Sequence, residues 1–267
     1  MPDLADLLAD LDAENDVLDG LVAPLDPDGW ARPTPAPGWD VAAQIGHLAF
    51  FDEKAVLAAT DPDRFVAEEL PAVQADPEGY MAAAVGRAHA MAVADLLAWW
   101  RDGRRAFRAS FAALDPKAKV PWYGPPMSVT SKVTSRLMET WAHGQDVVDA
   151  LAPLGATREP TDRLRHIAHL AVRTRGFAYT ANHRALPDGD VRVELAAPSG
   201  DTWTWGDPAL PDRVSGPALD FCLVMTRRRH HLDTALVADG PLAVEWLEIG
   251  QTFAGPPGEG RRPGQFA

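Results

Sequence analysis

Glu139 and His143 stand four residues apart in the run Arg136-Leu-Met-Glu139-Thr-Trp-Ala-His143-Gly-Gln-Asp146. On an α-helix, positions i and i+4 lie one above the other on the same face. Arg136 and Asp146 continue that stripe, three residues before and seven after Glu139. A carboxylate and an imidazole so placed can share a divalent cation. Two ligands rarely make a site, so a third must come from another element. The best candidate is His47, in Gly38-Trp-Asp-Val-Ala-Ala-Gln-Ile-Gly-His47-Leu. The competing reading is a polar core cluster, in which Glu139, His143 and Arg136 satisfy one another. The remaining histidines are weaker. His89 is a spare ligand on a different predicted helix. His166 and His169 have helical i,i+3 spacing but read first as a packing or solvated pair. His230 and His231 are adjacent and follow Arg227, Arg228 and Arg229, so a solvated basic patch with rings on different faces is their default reading.

The elements that must hold these residues follow from periodicity. Val133, Leu137, Trp141, Val148 and Leu151 predict a helix over about 131–150. His47 falls about two turns into a helix predicted over 41–59, with Asp40 placed to cap it. A first helix over 3–25 and a third, long helix over 77–114 complete a set of four. Between them, 31–38 alternates prolines and is read as a stiff extended loop. The stretch 61–76 is read as less regular. Four long helices joined by polar loops predict an all-α four-helix bundle, an architecture that builds metal sites from side chains on facing helices. Composition shifts near 153–160, so the expected division is a helical bundle over 1–153 and a small α+β domain over 154–267. The second part reads as a helix over 161–182, a hairpin of strands over 191–196 and 202–206, a helix over 216–226, a short strand over 236–238 and a last helix over 242–249. Trp203 and Trp205 on the hairpin read as core. The residues after about 255 are Gly, Pro and charge, the composition of a mobile tail.

A net charge of −13 argues against a nucleic-acid partner and against docking on anionic lipid. The single cysteine, Cys222, excludes an intramolecular disulfide and lies in an apolar run, where a buried, inert thiol is expected. The acidic, amphipathic N-terminus lacks the basic and apolar regions of a signal peptide, and no apolar run reaches the length of a membrane span. A cytoplasmic protein is expected.

Trp39-Asp-Val with Gln44-Ile-Gly-His47-Leu, together with Arg136-Leu-Met-Glu139-Thr-Trp-Ala-His143-Gly-Gln-Asp146-Val, resembles the DinB-like, mycothiol-dependent maleylpyruvate isomerase family of actinobacteria, and most closely its branch of uncharacterised metal-binding proteins. The resemblance implies a DinB-like bundle followed by a small α+β domain. It also implies a zinc ion held by His47, Glu139 and His143, with water completing the shell. Gln44 and Asp146 would orient those ligands or the bound water.

Two histidines, a glutamate and an open position describe a catalytic rather than a closed structural zinc site, although the same donors suit nickel or iron. A metal-bound thiol is deprotonated. The resemblance therefore implies an enzyme that uses the small thiol mycothiol as cosubstrate on a small electrophile. Addition, rotation and elimination would make it an isomerase; displacement or simple addition would make it an S-transferase. Arg227, Arg228 and Arg229 are candidates for holding an anionic substrate, because guanidinium groups suit carboxylates. A zinc-dependent hydrolase and a metal- or ligand-binding protein without turnover remain the alternatives.

Overall fold

The computed structural model describes residues 3–266. The chain divides into two units, Met1–Arg158 and Glu159–Ala267.

In the first unit, side-chain caps set where helices begin. Asp3 accepts from the Ala5 amide and starts α1 (Leu4–Val22), whose Leu7, Leu8, Leu11 and Leu18 are buried. Asp26 caps the short α2 (Pro27–Trp30). Asp40 Oδ1 accepts from the Ala43 amide at 2.8 Å and starts α3 (Val41–Thr60). The stretch 61–76 is more regular than its composition suggests. It forms α4 (Pro62–Arg64), a π-helical turn Phe65–Glu69 and α5 (Leu70–Ala75). The expected single helix over 77–114 is two helices, α6 (Pro77–His89) and α7 (Val93–Ala112). Ala90-Met91-Ala92 are good helix formers, so packing rather than propensity makes the break: both helices lie against α3. Gly103 stays helical and lets α7 approach Asp52 closely. A two-stranded ribbon, β1 (Lys119–Val120) and β2 (Met127–Ser128), was not foreseen. Ser128 then caps α8 (Val129–Leu151). Helix α3 packs against α6, α7 and α8, and α1 packs against α8. Their shared core includes Leu18, Trp30, Ile45, Leu48, Trp100 and Val147.

In the second unit, the expected helix over 161–182 is interrupted at Thr174, giving α9 (Leu164–Arg173) and α10 (Arg175–Ala181). The alternating segment forms the expected hairpin of β3 (Arg192–Ala196) and β4 (Thr202–Trp205). An additional strand, β5 (Arg213–Pro217), pairs parallel to β3 and antiparallel to β6 (Val237–Asp239), so the sheet order is β4-β3-β5-β6. Gly216 and Pro217, expected to open a helix, end this strand instead. At Gly216 φ is +141°, and a Cβ would sit 2.9 Å from the Ala235 carbonyl oxygen, so only glycine lets β5 reach its neighbour. Helix α11 (Ala218–Met225) follows directly and packs on β3, β5 and α9, while α12 (Pro241–Ile249) packs on α10. Among the described residues, 256–266 form no regular element. Within them the Gly264 amide donates to Asp233, and Phe266 lies under the Arg229 guanidinium. Among the described residues, no helix is long and apolar enough to cross a membrane.

Candidate metal centre

Helices α3 and α8 bring His47, Glu139 and His143 together. Glu139 Oε2 lies 3.3 Å from His143 Nε2 and 3.8 Å from His47 Nε2, and the three donor atoms fall within 4.8 Å of one another. A tetrahedral ion with bonds of about 2.0–2.1 Å separates its donors by about 3.3–3.4 Å. The Glu139–His143 distance matches that spacing, and the Glu139–His47 distance exceeds it by about half an ångström. The two imidazole rings are 4.4 Å apart, with Trp39 stacked against His143 and Phe51 4.7 Å from His47. These aromatic groups limit solvent around the donors.

The protonation states suit ligation. Burial, reinforced by His143, lowers the His47 pKa to about 4, with Glu139 only partly opposing it. Burial alone would push the Glu139 carboxyl up; its interactions with His143 and His47 outweigh that and hold it well below the usual carboxylate range. At neutral pH the cluster therefore holds a neutral His47 and an ionised Glu139, the forms that bind cations. A closed polar cluster would satisfy its own members. His47 is not satisfied: Nδ1 is buried with no hydrogen-bond partner, and Nε2 faces Glu139 from beyond hydrogen-bond length. Leaving a buried imidazole unpaired is costly.

Gln44, fully buried one turn before His47, has a defined task. Its Oε1 accepts from His143 Nδ1 at 2.5 Å, while its Nε2 donates to Thr34 Oγ1 at 2.9 Å. Thr34 in turn donates to the Trp39 carbonyl. Assigned this way, the network puts the proton on His143 Nδ1 and turns the Nε2 lone pair toward Glu139. Thr34 was not anticipated; nothing in the proline-rich loop marks it. Asp146 is buried and engaged, so it is not a helix-surface charge. Arg136 does not join the donor set. Its Nε pairs with Asp52 Oδ1 at 2.7 Å and its guanidinium donates to the Leu48 carbonyl, tying α8 to α3 beside the cluster. Gly46 sets the position of His47 from behind: a Cβ there would lie 2.3 Å from Ala88 Cβ, so α6 and α3 are in direct backbone contact.

The other candidates lie elsewhere. His89 pairs with Asp40 at 3.0 Å. In the second unit, His169 accepts from Trp205 Nε1, and Trp203 is buried. His230 and His231 do not diverge as expected; their rings lie 4.6 Å apart and share a cavity of about 120 Å³ with Arg227, Arg229, Glu248 and Arg261. Nor is the arginine run simply solvated. Arg227 sits in the left-handed region at φ 61°, and its Nε and Nη1 are buried without a partner. Arg228 donates to the Thr226 carbonyl, and Arg229 to the Arg228 carbonyl. Cys222 is fully buried, and burial pushes its thiol pKa far up.

Residues 11–148, just over half of the chain, match the family model described as the mycothiol maleylpyruvate isomerase N-terminal domain. Uncharacterized proteins of Mycobacterium tuberculosis, from strains CDC 1551 / Oshkosh and H37Rv, are each 49% identical over 261 residues, covering 98% of this chain and 100% of theirs. The crystal structure of the mycothiol-dependent maleylpyruvate isomerase is similar with a TM-score of 0.61 at 13% identity, over 94% of this chain and 97% of that one. A histidine-to-alanine mutant of that enzyme is similar with a TM-score of 0.58.

Proposed function

Because the chain belongs to the mycothiol maleylpyruvate isomerase N-terminal domain family, we propose that it is a metal- and mycothiol-dependent enzyme, an isomerase or S-transferase acting on a small electrophile. The observation that carries this is the cluster itself: three donor atoms within 4.8 Å of one another, with His47 neutral and unsatisfied by the protein beside an ionised Glu139. We read the first unit as the DinB-like four-helix bundle and the second as the appended α+β domain. His47, Glu139 and His143 are the proposed ligands of a divalent ion, with zinc favoured by the donor set and nickel or iron compatible with it. Such an ion supplies a Lewis acid that favours the thiolate form of a bound thiol.

The chain's own residues supply the rest. Glu139 brings the negative charge that offsets the cation. Gln44 holds the His143 ring and its tautomer, and buried Asp146 supports the same face of α8. Trp39 and Phe51 keep water from the reacting centre. In the isomerase reaction, the thiol sulfur adds to one alkene carbon and the alkene electron pair moves to the conjugated carbonyl. Rotation about the new single bond and expulsion of the thiol return the double bond in the other geometry and leave the thiol unchanged. Arg227, Arg228 and Arg229 are proposed to hold an anionic group, supported by Arg227 Nε and Nη1, which are buried without a partner beside the cavity of His230 and His231.

The test is turnover of cis-configured α,β-unsaturated acids by metal-loaded protein with and without mycothiol, beside the spectrum of the cobalt-substituted protein. Mycothiol-dependent turnover and a mycothiol-induced spectral change are expected. Ester or amide hydrolysis without thiol would replace this reading with a hydrolase. No turnover and no spectral response would leave a binding protein.

A further inference from the structure

Lys132 begins the stripe on α8 that continues through Arg136 to Glu139, one and two turns on. It is 4% exposed, and among the described residues its ammonium has neither a hydrogen bond nor an ion pair; its one close partner is the Trp122 ring, over which Nζ sits. The acids that feel its charge are already committed. Asp52 pairs with Arg136, and Glu139 faces His47 and His143. Trp122 also touches Phe51, and Phe51 touches His47, so Lys132 and the proposed metal ligands share one aromatic wall.

A buried cation without an anion is costly to keep. Burial and the neighbouring Arg136 hold Lys132 well below the ordinary lysine range, while Glu139 and Asp52 only partly oppose them. An anion seated beside it would supply the missing counter-charge and favour the ammonium. We propose that Lys132 is a specificity-determining residue that binds a carboxylate of the electrophilic substrate, whose unsaturated carbons then lie against Trp122 and Phe51. This rests on His47, Glu139 and His143 being the reacting centre.

The experiment uses maleate as probe and dimethyl maleate as its uncharged counterpart, with the full-length protein as purified. Thermal midpoints and tryptophan fluorescence are followed for wild type, Lys132→Met and Lys132→Gln. Without ligand, Lys132→Met is expected to melt above wild type, because an apolar side chain of similar length replaces an unpaired cation. Maleate should stabilise wild type, and its apparent affinity should fall about tenfold or more in both variants, the loss expected for one charge-assisted contact. Dimethyl maleate should affect all three proteins alike. Lys132→Gln keeps a hydrogen-bond donor and carries the test if the methionine variant does not fold. A wild type indifferent to maleate, a variant that binds maleate as wild type does, or a methionine variant that folds but melts below wild type would overturn the proposal. Metal content in the same samples reports separately on the reacting centre. Metal-free protein would undo the metal reading, while the maleate response would still judge Lys132.

Discussion

A neutral His47 beside an ionised Glu139 leaves the centre ready for a cation and sensitive to acid. The folded pKa of His47 is about 4, against about 6.5 for an unfolded histidine. Between those values the unfolded chain binds a proton that the native chain does not. Stability of the metal-stripped protein should therefore fall as pH drops from about 6.5 to about 4, by roughly 3 kcal/mol at most from this residue. Glu139, whose pKa is depressed, adds a loss of the same sign at lower pH. Urea midpoints across that window check this, with His47→Phe expected to flatten the slope; an equally steep slope in the variant would contradict the assignment. Gln44 acts through His143, so Gln44→Leu should weaken metal binding about 10- to 100-fold while leaving the fold intact. Competition with a chromophoric chelator reads this directly, and unchanged affinity would reduce Gln44 to a packing residue. The donor residues were legible because their chemistry and helical spacing stand in one short run each. Thr34 and Lys132 were not, because their importance lies in what surrounds them: a hydroxyl that orients Gln44, and an ammonium that no acid pairs among the described residues.

At the scale of elements, the centre depends on how closely α3, α6 and α8 approach. Gly46→Ala places a methyl group where Ala88 Cβ already is, so it should cost about 1–3 kcal/mol through overpacking, despite a better intrinsic helix propensity. Chemical denaturation measures this, and a neutral or stabilising result would show that α6 yields freely. Arg136→Met breaks the buried pair with Asp52 and should cost about 3–5 kcal/mol, because it leaves an uncompensated carboxylate. Helices α3 and α8 were legible in the sequence because apolar periodicity and side-chain caps agree there. The break between α6 and α7 was not, since Ala90 to Ala92 carry no stop signal and the turn is imposed by packing on α3. Strand β5 was hidden for the opposite reason. Only Val214 gives it a buried apolar side chain, and Gly216-Pro217 looks like a helix start until the neighbouring strands are in place.

At the scale of the whole molecule, the two units each bury their own reactive groups or leave them poised. Cys222 is sealed in the second unit, so a thiol reagent should label the native protein negligibly and the unfolded protein at one site; rapid native labelling would place that thiol near the surface. In an acidic chain, the buried Lys132 ammonium and the half-buried Arg227 guanidinium stand out, since among the described residues neither has an anion partner. That pattern suits a protein that receives a small acid rather than a polyanion. All of this depends on His47, Glu139 and His143 holding a divalent ion. The most direct test is elemental analysis of protein purified without chelator, alongside His47→Ala, Glu139→Ala and His143→Ala. About one divalent ion per chain in wild type, lost in each folded variant, is the predicted result. Metal-free wild type, or folded variants that keep the ion, would contradict it.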